Sequence, residues 1–155
     1  LSYGEGITYW PISEIVRGAT GIGQTPGGEV AADLARIAAV LGDHPDRDRI
    51  AERIGEAIGL TRGEPVPDET PWAIRTFLEA LAADRPLVVV LEDLQWAQPL
   101  LLDLVEHVAD WSREAPILLI VLARQELLDL RPAWGGGKRS ATILSLEPLN
   151  GEETA

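Results

Sequence analysis

Cysteine and methionine are absent from the 155 residues, and lysine occurs once, at Lys138. Without cysteine there is no disulfide and no thiolate metal centre, a composition compatible with a reducing compartment. The two histidines, His44 and His107, fall in different segments, so no zinc-type histidine pair is available. The missing methionine, with Leu1 as first residue, reads as an internal piece of a longer chain. Long apolar runs are missing as well. Leu87–Leu91 and Ile117–Ala123 fall far short of the roughly 18 residues that cross a bilayer, and the opening LSYGEGITYWP lacks the basic start and apolar run of a targeting leader. A soluble, cytoplasmic protein without membrane contact is expected. Basic residues are scarce too: 13 Lys and Arg against 25 Asp and Glu leave a formal net charge of −12. Such a surface repels phosphate backbones on average, which argues against direct nucleic-acid binding. Any nucleotide held here needs local positive charge and a metal ion.

What is present is enough apolar content, 46%, to bury a core. Val30, Leu34, Ile37, Ala38 and Leu41 repeat at helical intervals up to Gly42, and Ile50, Ile54, Ala57 and Ile58 do so up to Gly59. Ile74, Phe77, Leu78 and Leu81 mark a third helix, with Asp68 or Thr70 as cap and Pro71 in its first turn. The period then changes. Leu87-Val88-Val89-Val90-Leu91 is a continuous branched run, the pattern of a strand covered on both faces. A helix follows from Pro99 through Val108, then a second buried strand at Ile117–Leu122, a short helix at Gln125–Leu130 and a third strand at Thr142–Leu146. Asn150 and Glu153 have capping-box spacing for one more helix. This order predicts an α/β unit of parallel strands joined by right-handed crossovers.

The chemistry is concentrated in VVVLEDLQW, at the end of the first strand. In open parallel sheets ligands bind beyond the carboxyl ends of the strands, where Glu92 and Asp93 fall. Apolar residues followed by two acids form a Walker B pattern: one carboxylate holds Mg²⁺, directly or through water, and its neighbour polarises the attacking water. An acid after a buried strand is also a common helix cap or surface charge, and the motif alone does not separate these readings.

Three segments in order add weight. PLVVVLEDLQWAQPLLLDLVEHVA, from Pro86 to Ala109, resembles the Walker B strand and following helix of the STAND or origin-recognition-like group of AAA ATPases. These occur in bacterial LuxR-type regulators and beside adenylate and guanylate cyclase domains. The opening YGEGITYWPISEIVR resembles a stretch that follows their phosphate loop. LLIVLARQELLDLRPAWGGGKRSATILSLEPL resembles their sensor strand, with Arg124 at the sensor position. The resemblance implies a partial P-loop NTPase (AAA-like) fold, a three-layer parallel sheet with the Walker A strand missing, over residues 1–147, and the start of a helical lid region over 148–155. It implies ATP and Mg²⁺ as cofactors, Glu92 and Asp93 at the metal and the attacking water, and Arg124 at the terminal phosphate or paired with one of the acids. Which acid faces the metal stays open. Partners would be ATP or ADP and further domains of the same protein, whether cyclase, TPR-like or DNA-binding, with self-association through bare strand edges. Gln95 and Gln98 depart from the usual family pattern, where a His and an Asp stand.

The phosphate loop itself is not found. Gly18-Ala-Thr-Gly-Ile-Gly23-Gln24-Thr25 has the spacing of G-x-x-x-x-G-K-[ST], but Gln24 stands where lysine must be, and ISEIVR before it reads as helix. Lys138 and Arg139, in WGGGKRS, lead into a strand and read as a solvated turn. By resemblance the true loop lies before Leu1, and its strand would fill a gap between Ile117–Leu122 and Thr142–Leu146. Trp96 and Trp134 are read as packing anchors, and Asp103 and Glu106 as a solvated helix face. Two rivals remain: a degenerate, nucleotide-free interaction module of the same fold, and a phospho-receiver domain, which the position of the one lysine disfavours. Adjacent carboxylates cannot flank a glycosidic bond at the required separation of roughly 5 Å or more.

Overall fold

The computed structural model describes residues 8–23, 29–63, 66–136 and 140–147. Along the chain run α1 (Trp10–Thr20), α2 (Val30–Val40), α3 (Arg47–Ala57), α4 (Glu69–Ala82), β1 (Leu87–Leu91), α5 (Pro99–Trp111), β2 (Ile117–Val121) and α6 (Glu126–Leu130), with one turn of 3-10 helix at Leu94–Trp96. The protein is a mixed helix and strand structure, and its strands are parallel, as predicted. Glycines end α2 and α3 where the periodicity stops: Gly42 and Gly59 take φ of 55° and 75°, which residues with a Cβ seldom adopt. Pro11 and Pro99 lie in the first turns of α1 and α5, where a missing N–H costs nothing. Asp68 precedes α4, but its side chain makes no capping hydrogen bond.

Helices α2, α3 and α4 pack in sequence, and α4 packs on α5 and on both strands. Ile37, Ile50, Ile54, Ile74, Phe77, Leu101 and Leu104 are all at or below 1% exposure, so the helical repeats read from the sequence are the core-facing stripes. Gly55 of α3 lies tight against α2: a Cβ there would meet Leu34 Cδ2 at 2.7 Å. Over the outside of this layer Arg49 pairs with Glu69 at 2.6 Å and lies 5.5 Å above the Trp72 ring, tying α3 to α4.

β1 and β2 pair in register, Leu87 opposite Ile117 through Leu91 opposite Val121. Val89 and Leu91 are buried, and Leu87, Ile117, Leu119 and Val121 pack against the same core. The other face is open. Val88, Val90, Leu118 and Ile120 are 38–56% exposed, with Leu122 beyond them at 45%. The expectation of strands covered on both faces is therefore wrong for the described residues. An unbroken apolar run looks the same whether both of its faces are buried or one is bare, because only neighbours distinguish the two. The third strand is also corrected: residues 141–147 form no strand, and Ile143, Leu144 and Leu146 are 52%, 80% and 89% exposed. The segment pairs with neither outer edge of the two-stranded sheet, and a strand without a partner has no ladder to hold it. Among the described residues the sheet has two strands and helices on one face, so the gap expected beside Thr142–Leu146 has no second wall. Asn150, Glu153, Gln24, Lys138 and Arg139 lie outside the described residues, as does the whole 148–155 segment.

Candidate functional site at the carboxyl ends of the strands

β1 ends at Leu91 and the chain turns at once. Glu92 and Asp93 are both exposed beyond the strand, and Asp93 takes φ 55°, ψ 35°, the one left-handed non-glycine among the described residues. Aspartate tolerates this region better than most residues with a Cβ, and such conformations gather at functional sites. Leu94, fully buried, pins the turn to the core.

Three hydrogen bonds join this turn to the end of β2. Leu122 N–H donates to Leu91 O at 2.8 Å, and Leu94 N–H donates to Leu122 O at 3.1 Å. The next rung would carry Arg124 N–H to the Asp93 carbonyl, but that carbonyl accepts from Trp96 N–H at 3.0 Å instead. The Gln95 side chain takes its place: Gln95 Oε1 accepts from Arg124 N–H at 3.2 Å, and Gln95 Nε2 donates to Asp93 Oδ1 at 3.1 Å. Gln95 is 7% exposed, and its amide satisfies an acceptor on one side and a donor on the other.

Parallel pairing thus brings all three residues predicted for the site, Glu92, Asp93 and Arg124, to the same end of the sheet. The Arg124 side chain is exposed. Sequence reasoning passed over Gln95, whose only signal was that it differs from the residue usual in the proteins the segment resembles. The other departure, Gln98, accepts a hydrogen bond from the Thr8 hydroxyl at 2.6 Å and occupies the N-cap position of α5 without capping it.

Arg131 clamps the segment after α6 onto α5. It donates to Asp103 at 2.6 Å, to Glu106 at 3.3 Å and to the Pro99 carbonyl at 3.2 Å. Asp103 and Glu106, read as a merely solvated face, are anchors for this contact. Trp96, read as a packing anchor, is 65% exposed, whereas Trp134 does pack against the core. Tyr9 is buried, and its phenol is held above its ordinary pKa by that burial and by the nearby Asp103 charge.

The donor set can be weighed against the groups the resemblance implies. Mg²⁺ commonly takes one or two protein carboxylates and fills its remaining positions with water and phosphate oxygens, so Glu92 and Asp93 fit it. Among the described residues no group of three or more His, Cys, Asp or Glu side chains converges as a metal cage. A phosphate cradle does not fit the described residues. Gly18 to Thr20 form the last turn of α1, Gly21 closes it with φ 69°, and Arg17 of that helix donates to the Gly23 carbonyl. The described part of the near-miss loop, Gly18 to Gly23, is a helix end and the residues after it.

No protein-family model matches the chain, and no solved structure matches it. A protein of Rhizobium meliloti (strain 1021), described only as uncharacterised, is 28% identical over 140 residues, covering 82% of this chain. The chain spans 13% of that relative's length.

Proposed function

We propose that the chain carries the metal side of an ATP-binding and hydrolysing regulatory switch, with a partial P-loop NTPase (AAA-like) fold similar to STAND ATPases. The observation that supports this most is the pairing of an acid-tipped strand with a parallel neighbour whose end carries Arg124. Glu92 and Asp93 lie at the carboxyl end of a parallel strand pair, the end at which open parallel sheets bind ligands, and this supports the reading. In this reading the acids hold Mg²⁺, which would neutralise phosphate charge, and Arg124 senses the terminal phosphate. The described residues supply no phosphate cradle, so ATP is held only when further residues of a longer chain complete the site. The output, a cyclase, TPR-like or DNA-binding domain, lies in such further residues too.

Calorimetric titration with Mg²⁺ and ATP tests this on the chain as given and on a natural form extended upstream of Leu1. Binding by the extended form is the expected result, weakened in whichever of Asp93→Asn and Glu92→Gln removes the metal ligand and lost when both acids are neutralised. Asparagine keeps the left-handed conformation accessible, so loss there reports the charge and not the turn. Absence of binding in both forms would refute the nucleotide reading.

A second reading is favoured by the open sheet face. Val88, Val90, Leu118, Ile120 and Leu122 form an apolar surface of the kind that marks protein contacts, as in a nucleotide-free interaction module. Retained partner binding in a form with both acids neutralised would favour it.

A further inference from the structure

We propose that Gln95 is a positioning residue that ties the Asp93 carboxylate to the Arg124 backbone, so that a divalent cation loaded on the acidic pair is felt at the turn between β2 and α6. This rests on the cation reading of Glu92 and Asp93 and adds to it a route by which the cation acts at a distance.

The geometry carries the inference in three steps. First, Asp93 leaves the extended conformation, and its carbonyl turns away to Trp96 N–H. The β1–β2 ladder therefore loses a rung at the point where the acids begin. Second, Gln95 restores that rung with a side-chain oxygen, since its Oε1 receives the Arg124 N–H. A rung made by a side chain differs from a backbone rung in one respect: it moves when the side chain moves. Third, the other end of the same planar amide holds Asp93 Oδ1. The amide is rigid and buried, so its two hydrogen bonds cannot be adjusted independently.

A cation that draws the Asp93 carboxylate toward itself weakens or re-aims the Nε2 contact, and the amide carries that displacement to Arg124 N–H. Arg124 lies at the start of the segment leading into α6, where its carbonyl accepts from Leu127 N–H at 3.1 Å. Leu127 is buried at 2% exposure, so a shift of the Arg124 peptide is transmitted to a packed helix and not lost in a loop. The residue type follows from this role. Glutamate at this position has no N–H for Asp93 and adds a repelling charge, and leucine offers neither contact. Neutral histidine has one ring donor and one ring acceptor.

The test is a titration with Mg²⁺ alone, followed through backbone amide NMR signals of the chain and of Gln95→Leu and Gln95→His. Without metal, Arg124 N–H should exchange with solvent about tenfold faster in Gln95→Leu, the effect of losing a hydrogen bond of ordinary net strength. With Mg²⁺, the amides of Glu92, Asp93 and Arg124 should shift together along one binding curve in the unaltered chain. In Gln95→Leu the Arg124 signal should stay still while the two acids continue to respond, and Gln95→His should regain the response. The histidine variant also guards against a folding artefact, because it alters the same buried position. If Asp93 responds and Arg124 does not, or Arg124 responds equally in Gln95→Leu, the relay is wrong and the cation reading stands. If neither Glu92 nor Asp93 responds in the unaltered chain, the cation reading fails and the relay fails with it.

Discussion

The two faces of the β1–β2 sheet are built from one kind of residue and meet opposite fates. On the helix side, Val89 and Leu91 join Phe77, Ile74 and Leu104 in a continuous core. On the other side, Val88, Val90, Leu118 and Ile120 have the same chemistry and remain exposed. Strand alternation puts successive residues on opposite faces, and burial depends on what is packed there. Branched apolar residues on a bare face are therefore informative: they add nothing to the described core and stand ready for whatever covers them.

The contrast yields measurable differences. The largest effect belongs to the covered side. Phe77→Ala removes the one phenylalanine from a fully buried position and should cost about 3–5 kcal/mol in denaturant unfolding. A loss under about 1 kcal/mol would mean that the helical layer is not the stabilising half.

Next comes the clamp that holds the α6 segment to α5. Arg131→Ala should cost no more than about 1 kcal/mol, because Asp103 is 58% exposed and water screens the pair. Limited proteolysis should nonetheless cut the chain faster after α6.

His107 gives a smaller, pH-dependent signal from the helix side. Burial lowers its pKa below the ordinary 6.5, and the Arg75 charge on α4 adds to this, against the opposing pull of Asp110 and Glu79. Its Nε2 is buried with no hydrogen-bond partner among the described residues. Because the folded form resists the proton, the unfolded chain binds more protons as pH falls through 6.5 toward the lower folded value. Stability should be full above that window and decline within it, and His107→Leu should flatten this part of the pH profile. An unchanged profile would place the titration elsewhere.

The smallest effect belongs to the open face. Leu118→Ala should change the stability of this chain by less than about 0.5 kcal/mol. The same substitution in a longer natural form measures whether that face is covered there: a cost like that of Phe77→Ala would close the difference between the two faces.

Much of the architecture was legible in advance. The stripes Ile37/Leu41, Ile50/Ile54 and Ile74/Phe77/Leu78 announce helices through a 3.6-residue repeat, and Gly42 and Gly59 end two of them because φ is positive there. The placement of Glu92, Asp93 and Arg124 at strand ends was legible as well, since each follows an apolar run of strand length. Thr142–Leu146 was misread because β propensity describes a residue's fit to a sheet and says nothing about whether an edge is within reach. Trp96 was misread for a related reason: a large ring near a helix start packs only if the turn aims it inward, and here Leu94 occupies the inward position.

The sequence by itself determined the order of the helices and of the first two strands, the acidic tip of β1 and the scarcity of positive charge, because these depend on local periodicity and residue type. Only the tertiary structure decided which strand face is buried, that Arg131 ties Asp103 and Glu106 to the segment after α6, and that Gln95 replaces a lost rung between Asp93 and Arg124. Each of these joins residues distant in the chain, and such contacts exist only once parallel pairing and helix packing have set the distances.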